Sequence, residues 1–74
     1  MFTLDKLEMG ESGRIKEVRC NSCISRRLMD LGIINGSVIV PVLKSPSGNP
    51  RAYEVRGSII AIRNEDAMCI ELIK

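Results

Sequence analysis

A chain of 74 residues, 45% hydrophobic and carrying a net charge of +2, has room for one domain with a modest core, which excludes a large internal ligand cavity. Phe2 and Tyr53 are its only aromatic side chains, so aliphatic residues must fill the core, and neither an aromatic groove for proline-rich peptides nor a platform for stacking bases is available. The longest apolar runs, such as residues 59–62, fall far short of the roughly 20 residues that cross a bilayer.

In chain order, residues 4–13 open on a leucine-bearing turn with two glycines. Residues 12–18 predict a weak strand, because Ile15 and Val18 lie three apart, out of step with strict alternation, and a bulge or strand end is expected there. At 22–31 the period changes. Ile24, Leu28 and Leu31 recur at spacings of four and three, which predicts a short helix with one apolar face. Ser22 is the expected N-cap, and Gly32 follows the helix where a left-handed backbone is needed. Arg26 and Asp30 can pair across one turn. Leu28 and Leu31 read as core, and Met29, off that face, as an exposed contact.

Residues 37–44 are rich in β-branched side chains. Val38, Val40 and Val42 line one face and Ile39 and Leu43 the other, so both faces can be buried. Pro41 lacks a ladder donor and implies an edge, a bulge or a change of partner. Residues 45–50 (Ser-Pro-Ser-Gly-Asn-Pro) form the tip of a long hairpin. In 51–56, Tyr53 and Val55 alternate against Ala52, Glu54 and Arg56. Gly57 bends the chain, and 58–63 add a strand with Ile60 and Ile62 on one face. Residues 64–67 form a polar turn or a single helical turn, and in 68–73 Met68, Ile70 and Leu72 align as a last strand. The fold class is therefore mainly β: a small barrel of about five strands with one short α-helix at about residues 22–31, a closure that hides strand edges.

Chemistry has little to work with. There is no histidine, no Ser or Cys has a base nearby in sequence, and Glu65-Asp66 sit in a turn, so no enzyme is expected. Cys20 and Cys23 form a Cys-x-x-Cys pair, the spacing that ligates metal or cycles as a dithiol. The pair stands alone. With Cys69 the only other thiol, a closed four-ligand site lacks donors, so no metal site is expected and Cys20, Cys23 and Cys69 are weak candidates. Residues 1–20 lack a basic stretch followed by an apolar one, since Asp5, Lys6 and Glu8 interrupt the leucines, which predicts a cytoplasmic location. An odd number of cysteines there reads as thiols, not disulfides. Arg14, Lys16, Arg19, Arg26 and Arg27 stand against Glu17 alone, a basic patch for an acidic partner or phosphates, or a solvated face.

The run Arg26-Arg27-Leu28-Met29-Asp30-Leu31-Gly32-Ile33-Ile34-Asn35-Gly36-Ser37-Val38 resembles the core motif of the FeoA family of ferrous iron transport proteins. There a short helix ending in Asp-Leu-Gly leads through a turn ending in Gly to a strand. Residues 46–50 are similar to the family's hairpin loop, and 55–67 to its Arg-Gly-containing strand pair and acidic turn. Ile34-Asn35-Gly36 stands where a Thr-Pro-Gly type of turn is more usual, and Cys20-Asn21-Ser22-Cys23 is not a family feature. The resemblance implies an SH3-like barrel spanning 1–74 as a single domain, without a cofactor. It also implies an accessory role in ferrous iron transport, with the cytosolic GTP-binding domain of the FeoB transporter as partner and the membrane contacted only through it. Arg26, Arg27, Met29, Leu31, Gly32, Ile33, Pro46 and Gly48 are the expected partner-binding residues. Surplus apolar surface on 37–44 offers weak self-association. The alternative is a small barrel that binds nucleic acid through 14–27 or senses metal through its cysteines, although no nucleic acid is expected.

Overall fold

Stretches rich in β-branched residues become five strands: β1 (Gly13–Val18), β2 (Val38–Lys44), β3 (Arg51–Val55), β4 (Ser58–Ile62) and β5 (Ile70–Ile73). Helix α1 (Ser22–Asp30) follows β1, and the single turn α2 (Asn64–Ala67) precedes β5. The computed structural model describes residues 2–73. All pairings are antiparallel, in the order β4-β3-β2-β1-β5, so β2-β3-β4 is a meander and the last strand returns to pair with the first. Ile15, Ile39, Tyr53, Val55, Ile60, Ile62, Ile70 and Leu72 join one buried cluster with Leu4, Leu7, Leu28 and Ile33. Both edge strands feed that cluster, so the sheet wraps around its own apolar face, as a small barrel does.

Two irregularities bend the sheet. The β1–β5 register shifts between Ile15 and Glu17, where the broken alternation predicts it. The β2–β3 register shifts between Pro41 and Leu43. Only Val38 and Ile39 of β2 pair with β1, so the missing Pro41 donor leaves no hole in that ladder. The extra residue also changes parity. Ile39 and Pro41 face the core, but Leu43 is turned outward and is 64% exposed, while Val38 is exposed and Val40 and Val42 are half-buried. Of the two faces of 37–44 that could be buried, one is core, and the bulge removes Leu43 from it.

Helix α1 starts one residue earlier than Ser22 suggests. Asn21 is the N-cap, its side-chain oxygen accepting from the Ile24 amide at 3.0 Å, and asparagine serves this position as well as serine. At the other end Gly32 has φ +96°. The Ile33 amide donates to Leu28 and the Gly32 amide to Met29, a Schellman closure in which buried Leu28 and Ile33 supply the apolar contact. Leu31 is the C-cap and is 46% exposed. Its reading as core is therefore corrected: it stands at the C-cap, where the chain leaves the helix, and is exposed while Leu28 one turn earlier is buried. Met68 likewise caps α2 instead of opening the last strand, and is exposed. The segment 64–67 is the single helical turn, with Asp66 and Ala67 buried and Glu65 exposed.

Arg51 occupies a core-facing position of β3. Its guanidinium donates to the carbonyls of Leu7 (2.9 Å), Leu4 (3.2 Å) and Asp5 (2.9 Å), tying the 3-10 turn Leu4–Lys6 to the sheet. It also lies 5.3 Å from the Tyr53 ring centroid, within cation–π range. Tyr53 is fully buried, and its hydroxyl has no hydrogen-bond partner among the described residues. Burial raises its pKa, with the Arg51 charge opposing. Removing an unpaired buried hydroxyl orphans nothing. Tyr53→Phe is therefore expected to keep stability within about 0.5 kcal/mol or to raise it by about 1 kcal/mol in urea unfolding; a loss beyond about 1 kcal/mol would show that the hydroxyl is bonded in solution.

Cys20 and Cys69 are joined by a disulfide with their Cα atoms 5.1 Å apart, which corrects the expectation of three thiols. Sequence distance hid the pair. The β1–β5 ladder ends at Val18–Ile70, so the residues just beyond it, 49 apart in sequence, come within bonding reach. Cys23 remains a free, exposed thiol.

Candidate partner-docking surface

The Schellman turn redirects the chain from α1 toward β1. Ser37 donates to Ile34 across the Asn35-Gly36 turn, and the backbones of Gly36 and Ser37 bond that of Ile15 at 2.7 and 2.8 Å. Between α1, the exposed side of β1 and this turn lies a groove of about 420 Å³, lined by Glu17, Val18, Ser25, Met29, Ile33, Ile34 and Asn35. Its floor is Ile33, 1% exposed, and its apolar walls are Met29, 59% exposed, and Ile34, 38% exposed. Leu31 and Val38, at the two ends of the same connection, are also exposed.

Of the eight predicted residues, Met29 and Ile33 line this groove, though Ile33 is a buried floor and not a free contact. Gly32 works through the backbone: its left-handed φ fixes where Ile33 and Ile34 go. Pro46 and Gly48, in the β2–β3 loop, line none of the groove. Val18 and Ile34 were missed. The broken period of β1 carried the signal for Val18, while Ile34 falls in a turn that no periodicity marks.

The basic cluster is largely committed to the chain itself. Lys16 and Arg19 both pair with Glu71, at 3.5 and 2.9 Å, and Arg19 also approaches Glu17 at 3.5 Å. Arg27 reaches Asp66 at 3.5 Å, joining α1 to α2, and Arg14 donates to the Gly36 carbonyl at 3.4 Å. Arg26 makes no ion pair with Asp30, so it alone of the five is unpaired among the described residues. Lys16, Arg19 and Arg27 of the predicted basic patch are thus engaged in ion pairs at the surface, where each remains about half exposed or more.

Burial works to raise the pKa of Glu71, but the Arg19 hydrogen bond and the charges of Lys16 and Arg19 prevail and hold it below the ordinary 4.5. A depressed folded-state pKa gives stability that is present above the unfolded value and lost as pH falls through the folded one. Urea midpoints of the parent should therefore fall as the solution is acidified below about pH 4.5. Glu71→Gln should be less stable at neutral pH and show a flatter acid limb; an unchanged slope would remove Glu71 from the acid response.

No group of three or more His, Cys, Asp or Glu side chains able to hold a metal occurs among the described residues, and none of their helices is long and apolar enough to cross a membrane.

The FeoA protein of Chlorobium tepidum superimposes with a TM-score of 0.91 at 27% identity, covering 96% of this chain and 68% of that one. The FeoA of Stenotrophomonas maltophilia, solved with zinc and described as an SH3 domain protein, superimposes with a TM-score of 0.87 at 28% identity, covering 99% and 91%. A curated relative, the Fe(2+) transport protein A/Fe(2+) transporter FeoB fusion protein of Porphyromonas gingivalis, is 28% identical over 69 residues, or 93% of this chain. The chain spans 8% of that protein's length. The small SH3-like sheet superimposes on these FeoA structures, and the FeoA domain model matches residues 2–74: the chain belongs to the FeoA family, associated with ferrous iron transport.

Proposed function

We propose that this chain is a single-domain, cytoplasmic accessory protein of ferrous iron transport that docks on the cytosolic GTP-binding domain of a FeoB-like transporter through the α1–β1 groove. The observation that carries the reading is the groove itself, an apolar cleft with exposed Met29 and Ile34 as its walls. Its occupant is argued from the relative in which an A-type protein and a FeoB transporter are one polypeptide. Arg26, in the neighbouring cleft that shares Ser25 and Met29 with the groove, supplies an unpaired charge, and the hairpin residues Pro46 and Gly48 are secondary contacts.

Titration of isotopically labelled protein with the soluble GTP-binding domain of the cognate transporter, followed by NMR at two salt concentrations, tests it. Shifts should cluster on Val18, Met29, Ile34 and Asn35 and persist at high salt, because apolar contact dominates and most of the basic cluster is already paired. Met29→Asp should weaken binding by roughly tenfold or more. Shifts confined to residues 45–50, or none, would reject the groove. A steep salt dependence with generic DNA or RNA would favour the nucleic-acid reading instead.

A further inference from the structure

We propose that Cys20, Cys23 and Cys69 form a thiol–disulfide exchange centre in which Cys20 passes its disulfide from Cys69 to Cys23. It stands independently of the docking reading. Cys20 immediately precedes the N-cap Asn21, and Cys23 is the second residue of α1. The Ser25 hydroxyl donates to the Cys20 carbonyl at 2.9 Å, folding the Cys20 backbone onto the first turn of the helix, where Cys23 stands. Cys23 is exposed and free, while Cys20 and Cys69 are bonded and half-buried. An attacking thiol, a disulfide and a short connecting turn are therefore all present.

The step is balanced within the chain. The Cys23 thiol gives its proton to solvent, and the thiolate attacks Sγ of Cys20. The Cys20–Cys23 bond forms as the Cys20–Cys69 bond breaks, and the electron pair leaves on Cys69, which takes a proton from solvent. No oxidant or reductant is consumed. A link between the start of β5 and the start of α1 becomes a link within one turn. With β5 docked, the backbone holds Cys69 against Cys20 at a Cα separation of 5.1 Å and favours the long-range bond. When β5 loosens, the short loop is entropically cheaper to close and exchange follows. The centre thus records the docking of β5 as a choice of disulfide.

Trypsin, cutting after Arg19, Arg26 and Arg63, puts Cys20 and Cys23 on one peptide and Cys69 on another. The oxidised full chain is held without reductant from about pH 6 to about pH 9, with and without sub-denaturing urea, then alkylated, digested and weighed. Expected is a cross-linked peptide pair with the label on Cys23, giving way at higher pH and in urea to a single peptide lighter by two hydrogens with the label on Cys69. Cys23→Ser, at an exposed position, should lose that species and should slow reduction of the Cys20–Cys69 bond by glutathione about tenfold. Label on Cys23 alone under every condition, or equal reduction rates in the two proteins, would overturn the proposal.

Discussion

Arg51→Met is expected to lower stability by about 3 kcal/mol, since it leaves the three carbonyls of Leu4, Asp5 and Leu7 without their charged donor. Methionine keeps much of the side-chain volume, so the loss isolates hydrogen bonding and charge from packing. In a domain of this size it should shift the thermal midpoint by roughly 12 °C or more. The damage should also be local first. The Leu7 amide, which closes the 3-10 turn on Leu4 at 3.1 Å, should lose exchange protection before the strands do. Arg51→Lys should fall between parent and methionine, because an ammonium keeps the charge without the planar fork that reaches three acceptors. Denaturant unfolding within about 0.5 kcal/mol of the parent would show that water replaces the guanidinium without penalty.

Cutting the covalent tie gives the other large effect. The Cys20–Cys69 bond closes a sequence separation of 49 residues, for which restriction of the unfolded chain corresponds to about 4 kcal/mol as an upper figure and about 2 kcal/mol after native-state adjustments. Reduction of the parent, or Cys20→Ser, should therefore lower the urea midpoint markedly, and the variant, which can form neither the bond to Cys69 nor one to Cys23, should no longer respond to reductant. Equal midpoints for oxidised and reduced parent would mean that the β1–β5 ladder and the surrounding core hold this corner unaided.

The elements were largely legible because each carries its own local signal. The four-three spacing of Ile24, Leu28 and Leu31 gave α1, although Leu31 caps it, and Gly32 its stop. The disturbed period at Ile15 gave the β1 bulge, and Pro41 the disturbance in β2. What escaped depends on partners distant in sequence. Arg51 shares the parity of Tyr53 and Val55 and so belongs to the core face, but a charged residue is passed over there unless the carbonyls it serves are known. The disulfide requires the β5 register, and the paired state of Lys16, Arg19 and Arg27 requires knowing that Glu71 and Asp66 lie opposite. For the candidate site, Met29 was legible as a residue off the helix's apolar face. Ile34 was not, because a turn residue has no periodicity to reveal its direction.

The antiparallel return of β5 also determines how the molecule carries mechanical load. Thr3 bridges Glu71, and the Leu72 amide bonds the Phe2 carbonyl at 2.8 Å, so the two ends of the described chain lie side by side. A force that separates them opens the β1–β5 ladder one pair at a time, from Arg14–Ile73 toward Val18–Ile70, instead of shearing all its bonds at once. That peeling stops at the sulfur bridge. For as long as that bridge stays between Cys20 and Cys69, residues 20–69 lie outside the load path, and a tether attached through both ends stretches only the terminal segments.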